Sequence, residues 1–167
     1  MEFLEVINSR YSCRKFTNEK IKETELKVLL EAARIAPSAV NFFPTKIMII
    51  ENEELLEKLK SATKYTFNAK TVLCILHDKR ISWHRRNDNK DHGIIDSTIC
   101  ATHIMLACTS IGLGSTYVCA FKEELLREIL EIGDEYEVNC LLPIGYPAET
   151  KNITKRKELD EIVIRKE

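Results

Sequence analysis

The sequence predicts an α+β fold in which strands and helices do not alternate regularly. Several short apolar runs have the length of buried strands, but helical patterns separate them irregularly and no glycine-rich turn follows the first run. A doubly wound nucleotide-binding fold is therefore disfavoured. In addition, residues 94–111 are apolar on nearly every side, which indicates a helix enclosed by other elements.

The N-terminal half begins with a short helix whose apolar residues fall at 3, 6 and 7, followed by a loop or short extended piece over residues 10–16. Helical spacing resumes near Thr24 and ends before Pro37, because proline biases the preceding residue away from helical geometry. The remaining elements of this half are a strand over 47–50, a charged helix over 53–60 and a strand over 72–76.

The C-terminal half is dominated by the helix over 94–111, which ends at a glycine-rich segment. Residues 79–92 before it are polar and are interpreted as an exposed connection or a short helix. A helix that is apolar all round needs neighbours on every face, and in a domain this small a second subunit is a natural source of some of them. The last elements are a strand over 116–118, a helix over 123–130 and a strand over 138–144.

Composition limits the class of protein. The chain has 167 residues, 44% of them hydrophobic and 31% charged, with a formal net charge of -1, which fits one globular domain over 1–167 and does not indicate nucleic-acid binding. The acidic N-terminus lacks the pattern of a secretion signal, and no apolar run approaches the length of a membrane span. No two of the six cysteines have the two-residue gap of zinc or redox pairs. We therefore expect a cytoplasmic protein with free thiols and no membrane association.

The first candidate site is formed by Arg10, Ser12 and Arg14. In an extended segment these three side chains point to the same side. Arginine offers a rigid fork of donors that matches phosphate oxygens, and serine adds a hydrogen bond without bulk. The pattern therefore fits a phosphate site, although a solvated basic turn after a helix remains the alternative on spacing alone.

A second candidate is the loop between Pro37 and Pro44, which carries Ser38 and Asn41. Polar loops held between prolines often present hydrogen-bonding groups to a ligand. The alternative is a helix terminus in which the two side chains satisfy local backbone groups.

Five motifs in order link these candidates to a known family. They are Arg10-x-Ser12-x-Arg14-x-Phe16, Ala33-Arg34-x-Ala36-Pro37-Ser38-x-x-Asn41, Asp96 at the start of the long helix, Gly112-Leu113-Gly114-Ser115 at its end, and Leu142-Pro143-x-Gly145-Tyr146-Pro147 followed by Arg156-Lys157. With these motifs the chain resembles the nitroreductase family of flavoproteins over essentially its whole length. The resemblance implies a three-layer fold, with a central, mostly antiparallel sheet flanked by helices and the long buried helix at the interface of a homodimer.

The resemblance also implies a bound FMN. Arg10 and Ser12 would approach the FMN phosphate, and Arg156 would close this site from the C-terminal tail. Arg14 matches a basic position near the pyrimidine end, where a fixed cation stabilises the negative charge of the reduced flavin.

Further contacts implied by the resemblance involve two subunits. Pro37, Ser38 and Asn41 belong to the loop that reaches the flavin bound mainly by the other subunit. The same loop departs from the family pattern, because Val40 stands where many members carry glycine and Phe43 where many carry glutamine. Because of these departures, the ribityl contacts and the shape of the substrate pocket do not carry over from the family to this chain.

Three more positions are implied at the flavin. The backbone amides of Cys119 and Ala120 would lie near its N5 edge, and Asn68 matches another flavin-contacting asparagine. Cys119 is interpreted as a small tolerated side chain in preference to a catalytic thiol. Asp96 is expected to cap the long helix or favour its dipole, and the four histidines show no metal-ligand spacing, so no metal site is predicted.

The activity implied by the resemblance is a ping-pong cycle in which NADH or NADPH reduces FMN and a small-molecule electron acceptor, such as a nitroaromatic or a quinone, then takes the electrons. No side chain is assigned as acid, base or nucleophile. The alternatives are a specialised member with dehalogenating or flavin-consuming chemistry, which the short 79–92 region disfavours, and a non-enzymatic flavin-binding redox sensor. The tail over 159–166 pairs either with its own sheet or with the partner subunit, and the family favours the partner.

Overall fold

The computed structural model describes residues 2–149 and 154–166. The elements follow in the order α1 (Phe3–Ser9), α2 (Glu23–Arg34), β1 (Thr45–Ile50), α3 (Glu53–Ala62), β2 (Thr71–Asp78), α4 (Gly93–Ser110), β3 (Gly114–Ser115), α5 (Glu123–Leu130) and β4 (Tyr136–Gly145). Short 3-10 turns occur at Ala39–Asn41 and Leu159–Glu161. With the exception of β3, each helix and strand lies within a few residues of its predicted bounds.

The strands form one antiparallel sheet in the order β1-β2-β4-β3. Alternation along β2 sends Leu73 and Ile75 to one face, and Val72, Cys74 and Leu76 to the other. Both faces are covered, so β2 is buried along its whole length. This explains why its sequence is an unbroken apolar run.

Helices cover the two faces and complete the predicted three layers. On one face α2 and α4 pack through Leu26, Leu29, Cys100 and Ile104. On the other face α3 and α5 pack through residues that include Leu59, Leu126 and Leu130. The α+β class and the three-layer arrangement are thereby confirmed.

The predicted strand over 116–118 is wrong in extent. The strand in this region is β3 at Gly114–Ser115. Beyond it, the Thr116 amide donates a single 3.3 Å backbone hydrogen bond to Pro143, and Val118 exchanges two 2.9 Å backbone hydrogen bonds with Leu141. The Thr116 hydroxyl donates to the backbone carbonyl oxygen of Cys13. This tertiary contact fixes the backbone in a course that local β propensity does not specify.

Within one chain, α4 is buried along one face only. Its inward face includes Ala101, Ile104 and Cys108, all with no exposed surface, whereas Ile94 and Ile95 are 45% and 46% exposed. The expectation of a helix enclosed on all sides is therefore not met by a single chain. The open face is the one that a second subunit would have to cover.

The segment over 79–92 forms turns with one bridge between His84 and Asp91, and no helix. Asp91 organises it, because its carboxylate accepts from the Gly93 amide (2.8 Å) and lies 3.2 Å from Nε2 of the buried His77. Among the described helices, none is long and apolar enough to cross a membrane.

Candidate functional site

A cavity of about 300 Å³ brings together four of the residues singled out in the sequence. Arg10, Ser12 and Arg14 come from the segment after α1, and Arg156 comes from the C-terminal tail. The rest of its lining is Tyr11, Glu149 and Thr154. We call it the phosphate cavity, because three guanidinium groups and a hydroxyl are the donor set that suits a phosphate.

The segment carrying these donors is held against β3. Cys13 is fully buried, and its amide donates to the Ser115 carbonyl oxygen (3.0 Å). Ser12 forms an isolated parallel β-bridge with Ser115. Gly114 permits the close approach, because a Cβ atom there would lie 2.7 Å from the Cys13 Cβ. Burial also raises the pKa of the Cys13 thiol, which makes this cysteine an inert packing residue.

The chain after β4 forms the opposite wall. Backbone hydrogen bonds join Thr17 to Tyr146 (2.8 Å) and Ala148 to Lys15 (2.8 Å). They bring Glu149 beside Arg14, whose amide donates to the Glu149 carboxylate at 2.7 Å. Glu149 was not identified from the sequence, because 135 residues separate this pair and no local pattern marks it.

Tyr11 is the other wall residue that the sequence did not mark. Its hydroxyl donates to the carbonyl oxygen of Glu149 (3.3 Å), and burial raises its pKa to about 12. The phenol is therefore neutral at physiological pH, and its hydrogen bond connects the two walls of the cavity.

The loop with Ser38 and Asn41 is anchored to α4. The Ala39 amide donates to Asp96 (2.8 Å), which is 3% exposed and lies in the first turn of the helix. Asp96 was expected to cap this helix or to favour its dipole. The N-cap position is occupied by His92, and Asp96 lies in the first turn, where a negative charge favours the dipole. The Ser38 hydroxyl oxygen accepts from the Phe43 amide (3.0 Å), which closes the loop on itself.

The other implied flavin contacts lie away from the phosphate cavity in one chain. Asn68 has a left-handed backbone and lines a different cavity of about 440 Å³ beside α3. Cys119 and Ala120 are exposed, and the Ala120 carbonyl oxygen accepts from the Thr63 hydroxyl (2.7 Å). Desolvation raises the pKa of the Cys119 thiol, which disfavours a reactive thiolate. Among the described residues, no group of three histidine, cysteine or acidic side chains could hold a metal ion.

Comparison with known proteins gives the family. The model of the nitroreductase family matches residues 7–67 and 62–146. The chain belongs to the nitroreductase family. The structure of a nitroreductase family protein from Clostridium difficile 630 superposes with a TM-score of 0.91 at 33% identity, covering 98% of both chains.

Two further members of the family have more specific names. An FMN-dependent nitroreductase from Clostridium difficile R20291 is 26% identical, with a TM-score of 0.82 over 98% of this chain and 99% of that one. A protein of Archaeoglobus fulgidus with the provisional name NADH dehydrogenase/NAD(P)H nitroreductase is 28% identical over 160 residues, which is 90% of this chain and 88% of that protein.

Val40, at a position where many nitroreductases carry glycine, has a left-handed backbone with φ of 53°. A β-branched residue pays about 1–2 kcal/mol for that conformation. Its side chain is 65% exposed in one chain, so little packing within the chain offsets the cost. We expect Val40→Gly to raise the urea midpoint of unfolding, whereas Val28→Gly, at a 45% exposed site inside α2, should lower it. A Val40→Gly variant less stable than the native protein would contradict strain at this position.

Proposed function

We propose that this nitroreductase family member is an FMN-dependent oxidoreductase that uses NADH or NADPH to reduce a small acceptor. The observation that supports it is the convergence of Arg10, Ser12, Arg14 and Arg156 on one cavity, since three of them lie near one end of the chain and the fourth near the other. A solvated basic turn needs no such convergence. A single FMN-binding domain in the cytoplasm remains the accompanying prediction from the sequence.

In this proposal the residues of the chain bind and orient the cofactor. Arg10, Ser12 and Arg156 hold the FMN phosphate by charge-assisted hydrogen bonds. Arg14 offers a cation that favours negative charge at the pyrimidine end. When bound, FMN supplies the redox chemistry by accepting a hydride from the nicotinamide and passing electrons to an acceptor such as a nitroaromatic or quinone in a ping-pong cycle.

We further propose a homodimer with one FMN site at each side of the subunit interface. In one chain, Ser38 and Asn41 do not line the phosphate cavity, and α4 leaves Ile94 and Ile95 exposed. A second chain would cover this face and supply Pro37, Ser38 and Asn41 to the flavin of the first. The raised pKa of the Cys119 thiol weighs against the alternative of a thiol-based redox sensor.

The C-terminal tail provides a test of the dimer. The described tail forms no strand with its own sheet, and Ile162 and Ile164 are 62% and 88% exposed. Exposed apolar side chains of this kind need a partner surface. We expect Ile162→Asp combined with Ile164→Asp to shift the mass measured by light scattering from dimer towards monomer. The matched pair Ile162→Val and Ile164→Val should remain dimeric, and a dimeric aspartate variant would rule out this role of the tail.

The cofactor is tested by an absorption spectrum of the purified protein and identification of the released chromophore. We expect flavin bands and about one FMN per chain, followed by NAD(P)H oxidation when a quinone or nitroaromatic is added. A colourless protein that takes up no added FMN would exclude the proposal.

A further inference from the structure

The walls of the phosphate cavity contain one acidic side chain among the described residues, that of Glu149. Its carboxylate accepts a 2.7 Å hydrogen bond from the Arg14 amide, so it is held in place beside the arginines. The Tyr11 hydroxyl donates to the carbonyl oxygen of the same residue, at 3.3 Å. Glu149 is therefore a fixed part of the cavity wall.

This position is unexpected for a site that binds an anion. A phosphate bound in the same cavity of about 300 Å³ would lie at most the width of the cavity from Glu149. Like charges at that separation repel, and the repulsion is stronger in a partly desolvated site than in water.

We propose that Glu149 is an affinity-determining residue that weakens the hold of the cavity on the phosphate end of the cofactor. The inference rests on the proposed function, because it takes the ligand to be FMN. Among the described lining residues, three guanidinium groups and one carboxylate give a formal charge of two positive units, close to the negative charge of about 1.5 to 2 units on a phosphate monoester at neutral pH. Glu149 thus limits the affinity of the cavity for the phosphate end without preventing binding.

The isosteric variant Glu149→Gln separates charge from geometry. Its amide oxygen can still accept from the Arg14 amide, while the negative charge is gone. We expect the FMN affinity of the apoprotein, measured by fluorescence titration, to rise about tenfold, and the dissociation of FMN to slow correspondingly. Affinity for riboflavin, which has no phosphate, should stay within about twofold, because the repulsion acts on the phosphate alone.

Two further variants complete the test. Glu149→Ala removes the charge and the hydrogen bond to the Arg14 amide, so it should gain less FMN affinity than Glu149→Gln. Glu124→Gln removes an exposed charge on α5, outside the cavity lining, and should leave the ratio of FMN to riboflavin affinity unchanged.

The outcomes separate the inference from the proposed function. If the native protein binds neither flavin, or binds both equally, the proposed phosphate site is wrong. If the native protein prefers FMN but Glu149→Gln leaves that preference unchanged or lowers it, the site stands and the role of Glu149 is overturned.

Discussion

Arg10→Gln should reduce the affinity for FMN by about 30- to 100-fold, which is the expected loss for one charge-assisted contact of roughly 2–3 kcal/mol. Arg10 lines the phosphate cavity and its side chain is only partly buried. The substitution should therefore change the free energy of unfolding by less than about 0.5 kcal/mol. Fluorescence titration of the apoprotein with FMN and with riboflavin measures the effect, and only FMN binding should weaken.

Arg85→Gln is the matched control. Arg85 is an exposed arginine that pairs with Asp88 in the 79–92 segment and does not line the phosphate cavity. Its removal should leave both flavin affinities unchanged. If Arg10→Gln binds FMN as tightly as the native protein does, or if riboflavin binding falls by the same factor, Arg10 does not contact the phosphate.

The elements that the sequence predicted well are those in which a local pattern and the tertiary environment agree. The unbroken apolar run of β2 required both faces of the sheet to be covered, and they are. The predicted and observed bounds of the helix α5 are the same, because its apolar residues Leu126 and Leu130 repeat at helical spacing and face one layer.

The sequence was less informative where contacts distant along the chain determine the geometry. Thr116 and Val118 have strand propensity. Their backbone path is nevertheless determined by hydrogen bonds to Cys13 and Leu141, which are distant along the chain. The phosphate cavity likewise combines residues that a local pattern marks with a residue that only the fold brings there. Arg10, Ser12 and Arg14 formed a pattern of period two, whereas Glu149 joined the site only through pairing across the fold.

Asp96 links the loop bearing Ser38 and Asn41 to α4, and its removal should affect stability and flavin binding together. In Asp96→Ala the partly buried Ala39 amide loses its acceptor, which costs about 1–3 kcal/mol of the free energy of unfolding. The loop contains left-handed residues at Val40, Asn41 and Phe43 and depends on such an anchor to keep its shape. We expect a lower urea midpoint and, in the proposed dimer, FMN affinity about tenfold weaker.

Asp96→Asn distinguishes anchoring of the loop from a general effect of removing a buried charge. The asparagine oxygen can accept from the Ala39 amide as the Oδ1 atom of Asp96 does, so flavin affinity should recover most of its native value. Stability should recover less, because Oδ2 is buried beside the positive end of α4 and an amide nitrogen there lacks the favourable charge. Equal losses of FMN affinity in the two variants would show that the loop does not depend on this hydrogen bond. In that case the position of Ser38 and Asn41 must come from the second subunit.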